Sequence, residues 1–228
     1  MEVVMFLELS YELSENIPVY PGSPREMYRK NSRIAEGDPS NTSVITHYLH
    51  NGSHVDAPFH FDKEGIGIDE VPIENFMFQS PLVIECNKNR SELIELSDLQ
   101  LYEPNLHRAD ILLFNTKFSL LRDDAKSYAD DFPALSLEAA TYIRNDLLNV
   151  KAIGIDTLSI ESAVHGPEQD FPVHKILLSH TCSKERPLVI YEDIDIQKVS
   201  GKKIKQIWAF PLRLKGLDGS PITMVAEV

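Results

Sequence analysis

The feature that most constrains this chain is an eleven-residue stretch, residues 50–60, which reads HNGSHVDAPFH. Its imidazole and carboxylate groups all occupy even positions: His50, His54, Asp56 and His60. Side chains of an extended strand alternate between its two faces, so the spacing predicts that all four groups share one face. Imidazole and carboxylate are ligands that suit zinc, manganese or iron. The stretch therefore predicts a metal site whose chemistry acts on bound water.

Pro58 interrupts this simple strand, because proline cannot donate a hydrogen bond to a neighbouring strand. We expect a bend there that carries His60 away from the first three groups and so separates a ligand group from a catalytic group. A helical zinc-protease site is rejected, since such a site has Glu directly after the first His, whereas Asn51 and Gly52 follow here. A solvated polar strand face is the alternative interpretation of the same spacing.

The composition indicates a globular protein and excludes several classes of function. The 228 residues suffice for one sizeable core, and 43% hydrophobic and 25% charged residues are ordinary values. A formal net charge of −13 argues against nucleic acid or an anionic membrane as partner. Cys86 and Cys182 provide neither a disulfide framework nor a C-x-x-C zinc motif. Without a visible secretory signal or membrane-length apolar run, we expect a cytoplasmic enzyme.

Predicted strands with a few predicted helices between them favour one α/β domain over residues 1–228. Ser136 is the predicted N-cap of the clearest helix, whose apolar face includes Ile143 and Leu147. Pro172 is predicted in the first turn of a second helix, residues 171–178. Residues 26–41 are polar and are predicted to form a loop. The predicted strands are residues 3–9, 43–49, 81–85, 111–115, 150–155, 188–191, 207–214 and 221–228.

Residues 50–60 resemble the H-x-G-T-H-x-D-x-P-x-H signature of the putative cyclase family, with Ser53 where the family has Thr. That family includes bacterial-type kynurenine formamidases and isatin hydrolases. The resemblance covers nearly the whole chain and implies a single domain with a mixed, barrel-like β-sheet flanked by helices, of the swivelling β/β/α type. Four further motifs follow in the family's order: residues 9–11 with 17–22 ("LS…PVWPG"), 154–159 ("GIDTPS"), 174–178 ("H-x-x-LL") and 210–212 with 219–221 ("LPL…GSP").

The resemblance also implies the roles of individual residues. Formamidase-type members bind two divalent metals, here two zinc ions, although manganese suits the same ligands. Asp56 would bridge the two metals, and His60 would be the proton donor and acceptor. Tyr20, where formamidases commonly carry Trp, would line the substrate pocket. The implied metal ligands are His50, His54, Asp56, His174 and Glu192.

The distal ligands depart from the family's spacing. His174 and Glu192 are 18 residues apart here, whereas the family separates them by about a dozen. Residues 179–187 look like an insertion, and His180 or Glu185 within it is an alternative ligand. His47, His107 and His165 match no family role. We expect His47 to be structural, and His165 is a candidate for the entrance of the site.

The implied reaction is hydrolysis of a small amide by metal-activated water, with His60 as the proton shuttle. An aryl formamide such as N-formylkynurenine is the first candidate substrate. A cyclic amide or lactone, as in isatin hydrolysis, is the alternative, and a metal-binding family member without enzymatic activity is a third possibility. We expect a small-molecule substrate, no nucleic-acid or membrane partner, and a homodimer or larger homo-oligomer.

Overall fold

The structure, a computed structural model, describes residues 4–179 and 186–228. Its strands are β1 (Phe6–Glu8), β2 (Met27–Ser32), β3 (Thr42–Thr46), β4 (His54–Asp56), β5 (Met77–Phe78), β6 (Pro81–Glu85), β7 (Leu93–Ile94), β8 (Ile111–Asn115), β9 (Ala134–Leu135), β10 (Ala152–Ile155), β11 (Val189–Glu192), β12 (Gln206–Pro211) and β13 (Gly219–Glu227). The helices are α1 (Leu96–Gln100), α2 (Ala125–Ala129), α3 (Leu137–Asp146), α4 (His165–Glu168) and α5 (Pro172–Leu178).

Nine of these strands form one mixed, barrel-like sheet, in the order β5-β12-β13-β4-β11-β10-β8-β6, with β1 added alongside β13. The run β11-β10-β8-β6 is parallel, whereas β4 pairs antiparallel with both β11 and β13. The expected α/β class with a mixed, barrel-like sheet and flanking helices is confirmed. The strand β4 thus lies where the parallel half of the sheet meets the antiparallel half.

Both faces of β8, β10 and β11 are buried, because apolar side chains of each strand alternate between two cores. On β8, Leu112 and Phe114 pack into a core that also contains residues of α3 and α5. Ile111 and Leu113 of the same strand pack into a second core, with Val55 of β4. A strand covered on both faces is apolar at every position, which is why β8 was recognisable from the sequence.

The two predicted helices are confirmed, with their expected first turns. The Ser136 side chain accepts the backbone N–H of Ala139 and so caps α3. Pro172 occupies the first turn of α5, where no intrahelical partner for its missing N–H is needed. In residues 4–179 and 186–228, no helix combines the length and the apolar character required to cross a membrane.

The prediction of a loop over residues 26–41 is wrong in part, because β2 forms there and pairs antiparallel with β3. The two strands make a separate hairpin whose side chains are exposed on both faces, including Met27, Val44 and Ile45. The strand β2 has no buried face and so no period-two pattern, and unlike β3 it contains no β-branched residue that would favour a strand.

Candidate functional site

The centre of the candidate site is the short strand β4. His54 and Asp56 are two residues apart on β4, so they share one face, and both are buried. In the antiparallel pairing with β11, Glu192 lies directly opposite His54. Opposed side chains of paired strands project from the same face. The register of the sheet therefore brings Glu192 to the ribbon, the histidine-rich stretch of residues 50–60, with 3.4 Å between Oε2 of Glu192 and Nε2 of His54.

His50 and His60 reach the site through turns that flank β4. His50 precedes Gly52, whose φ of +64° turns the chain, and residues 58–60 form a 3₁₀ turn. The prediction of one shared strand face is therefore wrong for His50 and His60. Pro58 does mark the end of extended chain, but the His60 ring stacks on the His50 ring, with 3.8 Å between centroids. The prediction that the bend carries His60 away from the other three groups is also wrong.

Five ligand-type side chains meet at this one place. Among the described residues, three groups of three side chains have candidate ligand atoms within 4.8 Å of one another, and Asp56 belongs to two of these groups. Nδ1 of His50 lies 2.7 Å from Oδ1 of Asp56. Nε2 of His174 lies 3.3 Å from Oε1 of Glu192. The two groups with Asp56 are His50, His54 and Asp56, and Asp56, His174 and Glu192, so the structure brings together all five residues that the sequence singled out as ligands. The third group is His50, His60 and Asp218.

Hydrogen bonds on the outer side of two rings turn their other nitrogens to the centre of this cluster. Nδ1 of His54 lies 2.9 Å from the Gly52 carbonyl oxygen, and Nδ1 of His174 lies 2.8 Å from Oε2 of Glu161. A neutral imidazole that donates through Nδ1 presents a lone pair at Nε2. Nε2 of His54 and Oδ2 of Asp56 are buried without a hydrogen-bond partner among the described residues. Such inward-facing acceptors fit a divalent cation.

The carboxylates make this cluster attractive to positive charge. Burial opposes the charging of His174, but hydrogen bonds to Glu161 and Glu192 outweigh burial and raise its pKa to about 9. Burial likewise opposes charge on His54, and the neighbouring Asp56 and Glu192 nevertheless raise its pKa well above the ordinary value. Carboxylates that favour a proton on these rings also favour a bound cation, so the electrostatics agree with the arrangement of lone pairs.

His174 is held by the first turn of α5 and by Glu161, which sequence reasoning missed. The two oxygens of Glu161 accept the backbone N–H groups of Val173 and His174, each at 3.1 Å, in addition to Nδ1 of His174. A carboxylate at a helix start is also favoured by the helix dipole. Glu161 thus fixes both the helix and the ring. Its partners are 12 and 13 residues away, and Glu161 itself lies outside any motif that we matched.

Asp218 is the second site residue that the sequence analysis missed. Its Oδ2 accepts hydrogen bonds from Nε2 of His50 at 2.9 Å and from Nδ1 of His60 at 3.1 Å. These two hydrogen bonds hold the pKa of the Asp218 carboxyl well below its usual range. The available signal was its position directly before Gly219, the first residue of the closing "GSP" motif.

A cavity of about 190 Å³ opens from the cluster and has mainly aromatic walls. Phe61 stacks on His174 with 4.5 Å between ring centroids. Tyr20, the predicted pocket residue, lies in the wall, and its buried hydroxyl has no hydrogen-bond partner among the described residues. Burial, with the charge of Glu192 nearby, raises the pKa of Tyr20, so this hydroxyl is protonated at neutral pH. The aromatic rings of the wall are Tyr20, Tyr48, Phe61 and Phe171.

A buried polar network connects Ser53, the residue before β4, with the backbone next to Glu192. The Ser53 hydroxyl donates to the backbone carbonyl of Asp193 at 2.5 Å. The carboxylate of Asp193 accepts Nε and Nη2 of Arg122, at 2.9 and 2.7 Å, and the Tyr128 hydroxyl at 2.8 Å. Asp193 directly follows Glu192, so the network fixes the backbone at that residue. The hydroxyl that Ser53 shares with the family's Thr is the group that makes this link.

The other described histidines, His47, His107 and His165, belong to none of the ligand groups. Nδ1 of His47 lies 3.0 Å from Oε1 of Glu26, and both side chains are buried. His165 is on the short helix α4 with an exposed side chain, 3.8 Å from Glu168, and His107 is also exposed. The alternative ligands His180 and Glu185 lie outside the described residues.

Comparison with known proteins agrees with the motifs and the geometry. A family model described as "Putative cyclase" matches residues 7–162, which is more than half of the chain. The chain belongs to the putative cyclase family. Within it, kynurenine formamidase of Geobacillus thermodenitrificans (strain NG80-2) is 29% identical over 217 residues, which cover 95% of this chain and 94% of that protein. Kynurenine formamidase of Bacillus cytotoxicus is 24% identical over 225 residues, covering 99% and 98%.

Solved structures with lower sequence identity share the fold. Isatin hydrolase A from Labrenzia aggregata, bound to benzyl benzoate, superposes with a TM-score of 0.83 at 23% identity, covering 99% of this chain and 94% of that one. A predicted metal-dependent hydrolase from Bacillus stearothermophilus gives a TM-score of 0.74 at 23% identity, covering 99% and 98%. The expected membership of this family and its fold are therefore confirmed over nearly the full chain.

Proposed function

We propose that this protein is a metal-dependent hydrolase of a small amide, most directly of an aryl formamide such as N-formylkynurenine. The observation that carries the proposal is the pair of ligand groups that share Asp56 and face an aromatic cavity. Family relatives over nearly the whole chain bear the name kynurenine formamidase, which supports the same reaction class. The chain acts as one unit, because the site takes residues from position 20 to position 218.

Two divalent metals, zinc or manganese, are the proposed cofactors. His50, His54 and Asp56 would hold the first, and Asp56 and His174 the second. Glu192 would serve both, because Oε2 lies 3.4 Å from Nε2 of His54 and Oε1 lies 3.3 Å from Nε2 of His174. Bound metal of this kind lowers the pKa of water to about 7 and polarises a carbonyl oxygen.

The side chains of this chain supply the rest of the reaction. His60 lies in the cavity wall, where it can receive the proton that water loses as its oxygen bonds to the carbonyl carbon. The same imidazole then returns the proton to the nitrogen as the carbon–nitrogen bond breaks, so the products are a carboxylic acid and an amine. An imidazole can both accept and donate a proton through its ring nitrogens, as this transfer requires.

The cavity wall supports an aromatic substrate. Tyr20, Tyr48, Phe61 and Phe171 provide ring faces and edges around a volume of about 190 Å³, which suits a compact aromatic compound. Tyr20 offers, in addition, a buried hydroxyl that a polar group of the substrate can satisfy. Tyr20 is therefore proposed as a substrate-binding residue.

A cyclic amide is the second candidate, and the small volume of the cavity favours it, because a fused ring needs no room for a flexible side chain. The isatin hydrolases that share this fold carry the name of such a reaction. A lactone is a related candidate, because hydrolysis of its ring would use the same metal-bound water and the same proton shuttle.

A homo-oligomer is also proposed. The hairpin β2–β3 exposes Met27, Val44 and Ile45, and an isolated two-stranded hairpin is marginally stable in water, so cover by a second copy would stabilise it. A cytoplasmic location stays a prediction.

The test is an assay of the purified protein, loaded with zinc or with manganese, on N-formylkynurenine, isatin and an aryl lactone in parallel. We expect the formamide to have the highest kcat/KM and chelation to abolish turnover. Preference for isatin would favour the second candidate. Stoichiometric metal with turnover of none of the three would contradict the proposal and favour a metal-binding protein without enzymatic activity.

A further inference from the structure

One carboxylate joins the two stacked histidines of the ribbon. Oδ2 of Asp218 lies 2.9 Å from Nε2 of His50 and 3.1 Å from Nδ1 of His60. Asp218 is 158 residues from His60 along the chain, so the contact depends wholly on the tertiary fold. About a third of the Asp218 side chain is exposed, and its polar contacts reach inward to the two rings.

The backbone around Asp218 is held in this position by β4. The Asp218 carbonyl accepts the N–H of Ala57 at 2.9 Å, and the next residue, Gly219, pairs with Asp56. A Cβ on Gly219 would come within 2.9 Å of Cε1 of His50 and 2.8 Å of the Val55 carbonyl oxygen. Only glycine therefore lets this strand approach the His50 ring so closely.

The two hydrogen bonds decide which ring nitrogens remain available. An ionised carboxylate only accepts, so both nitrogens that face Asp218 carry a proton. In neutral His50 the lone pair then lies on Nδ1, 2.7 Å from Oδ1 of Asp56. Two acceptors at this distance repel unless a cation or a proton lies between them. In neutral His60 the lone pair lies on Nε2, the nitrogen that is free for proton transfer.

We propose that Asp218 is a positioning residue that fixes the tautomers of His50 and His60 together, presenting Nδ1 of His50 to the metal and Nε2 of His60 to the substrate. This inference rests on the proposed function for its catalytic part. Carboxylates that orient a ligand histidine or a general base are an established device, and their loss costs about 10–100-fold in metal affinity or activity. Asp218 would perform both tasks with one oxygen.

A double-mutant cycle tests the action on His60. Asp218→Ala should lower kcat by about 10–100-fold with little change in KM. In a His60→Ala background, with zinc at a concentration that saturates both sites, the same change should lower kcat by less than about threefold, because Asp218 then has no base to orient. Full additivity of the two losses would overturn the positioning of His60.

Metal affinity tests the action on His50 without any substrate. In competition with a chromophoric chelator, Asp218→Ala should weaken one of the two zinc sites by about 10-fold or more. His60→Ala should leave both sites unchanged. Unchanged affinities in Asp218→Ala would overturn the positioning of His50. Glu64→Gln, which removes one exposed acidic charge elsewhere, is the matched control and should change neither affinity.

The tautomers can be observed directly by histidine side-chain 15N NMR of the zinc-loaded protein. The wild type should show the Nδ1–H tautomer of His60, and Asp218→Ala should lose it. An unaltered tautomer in the variant would overturn the proposal even if the protein hydrolyses none of the three substrates, so its failure is distinct from failure of the proposed function. If the alanine variant does not fold, Asp218→Asn, which keeps the shape and removes the charge, should change affinity and kcat in the same direction.

Discussion

The two halves of the candidate site are built in different ways. The ribbon half supplies His50, His54 and Asp56 from seven consecutive residues, and β4 with its preceding turn holds them. The distal half supplies His174 from α5 and Glu192 from β11, two elements that meet only in the folded protein. The ribbon half is set by local spacing, whereas the distal half depends on strand register and on a helix start.

This difference extends to the residues that support each half. The ribbon histidines are oriented by the nearby Gly52 carbonyl and by the distant Asp218. His174 is oriented by Glu161, which also holds the first turn of its helix. Damage to the support of one half should therefore affect one metal, and damage at the shared residue should affect both.

The largest effect is expected at Asp56, which belongs to the His50–His54 group and to the His174–Glu192 group and would bridge the two metals. Asp56→Ala should lose both metals and reduce kcat/KM by at least about 10⁴-fold, or about 5 kcal/mol of transition-state stabilisation. Metal analysis after dialysis and a kinetic assay measure the two effects. The exposed Asp123→Ala is the control and should retain both metals. Retention of one metal by Asp56→Ala would show that the halves are independent and that Asp56 does not bridge them.

Asp156 should make the free energy of unfolding depend on pH. Burial raises the pKa of its carboxyl to about 6, although Thr116 and Ser119 donate hydrogen bonds to it. The folded protein therefore binds this proton more tightly than the unfolded chain, whose Asp has a pKa near 3.9. The corresponding stability is present below about pH 4 and is lost as pH rises to about 6, by about 3 kcal/mol.

Denaturant unfolding of the metal-free protein between pH 4 and pH 7, with Asp156→Asn alongside, measures this contribution. The variant lacks the titrating group, so its free energy of unfolding relative to the wild type should rise by about 3 kcal/mol across the range. A constant difference between the two proteins would show that Asp156 titrates normally. The other carboxyl groups titrate in both proteins, so their contribution to the pH dependence is removed when the two curves are subtracted.

The smallest effect is expected from a change at Glu161, which should weaken one metal site and leave the other unchanged. Glu161→Gln keeps the shape of the side chain but removes the charge that orients His174. We expect the second metal to bind about 10–100-fold more weakly, while the first metal at His50 and His54 keeps its affinity. The helix α5 should also lose about 1 kcal/mol at its first turn.

Stepwise titration with zinc against a chelator distinguishes the two metal sites. Glu168→Gln, a matched change on an exposed acid of α4, should leave both affinities unchanged. Equal weakening of both sites in Glu161→Gln would mean that the halves share their support and that the contrast between them is wrong.

The strands and helices with strong patterns were predictable from the sequence. The strand β8 is apolar at four consecutive positions because both of its faces are buried, and Ser136 caps α3 as its residue type predicts. The strand β3 was predicted within residues 43–49, but its partner β2 escaped prediction, because neither face of β2 is buried and no periodicity results. The prediction that residues 50–60 form one extended strand was also wrong. The positive φ of Gly52 and the turn that begins at Pro58 depend on how the surrounding chain packs.

Some candidate ligands were likewise predictable from local sequence patterns, whereas others depend on the tertiary fold. His54 and Asp56 share a face because strand geometry requires it, and the sequence alone determined that. Glu192 could be matched only by resemblance to the family, and its position opposite His54 comes from the pairing of β11 with β4. Glu161 and Asp218 carry no local pattern, because their partners lie 13 and 158 residues away.

The sequence by itself thus determined the ligand chemistry, the family and the local half of the site. Residue types and short spacings encode these properties, because they depend on covalent geometry within a few residues. Only the tertiary structure decided that His60 stacks on His50, that Asp218 bonds to both, and that Glu161 holds His174. These contacts depend on strand register and helix placement, which result from packing of the whole core and are not encoded in any single segment.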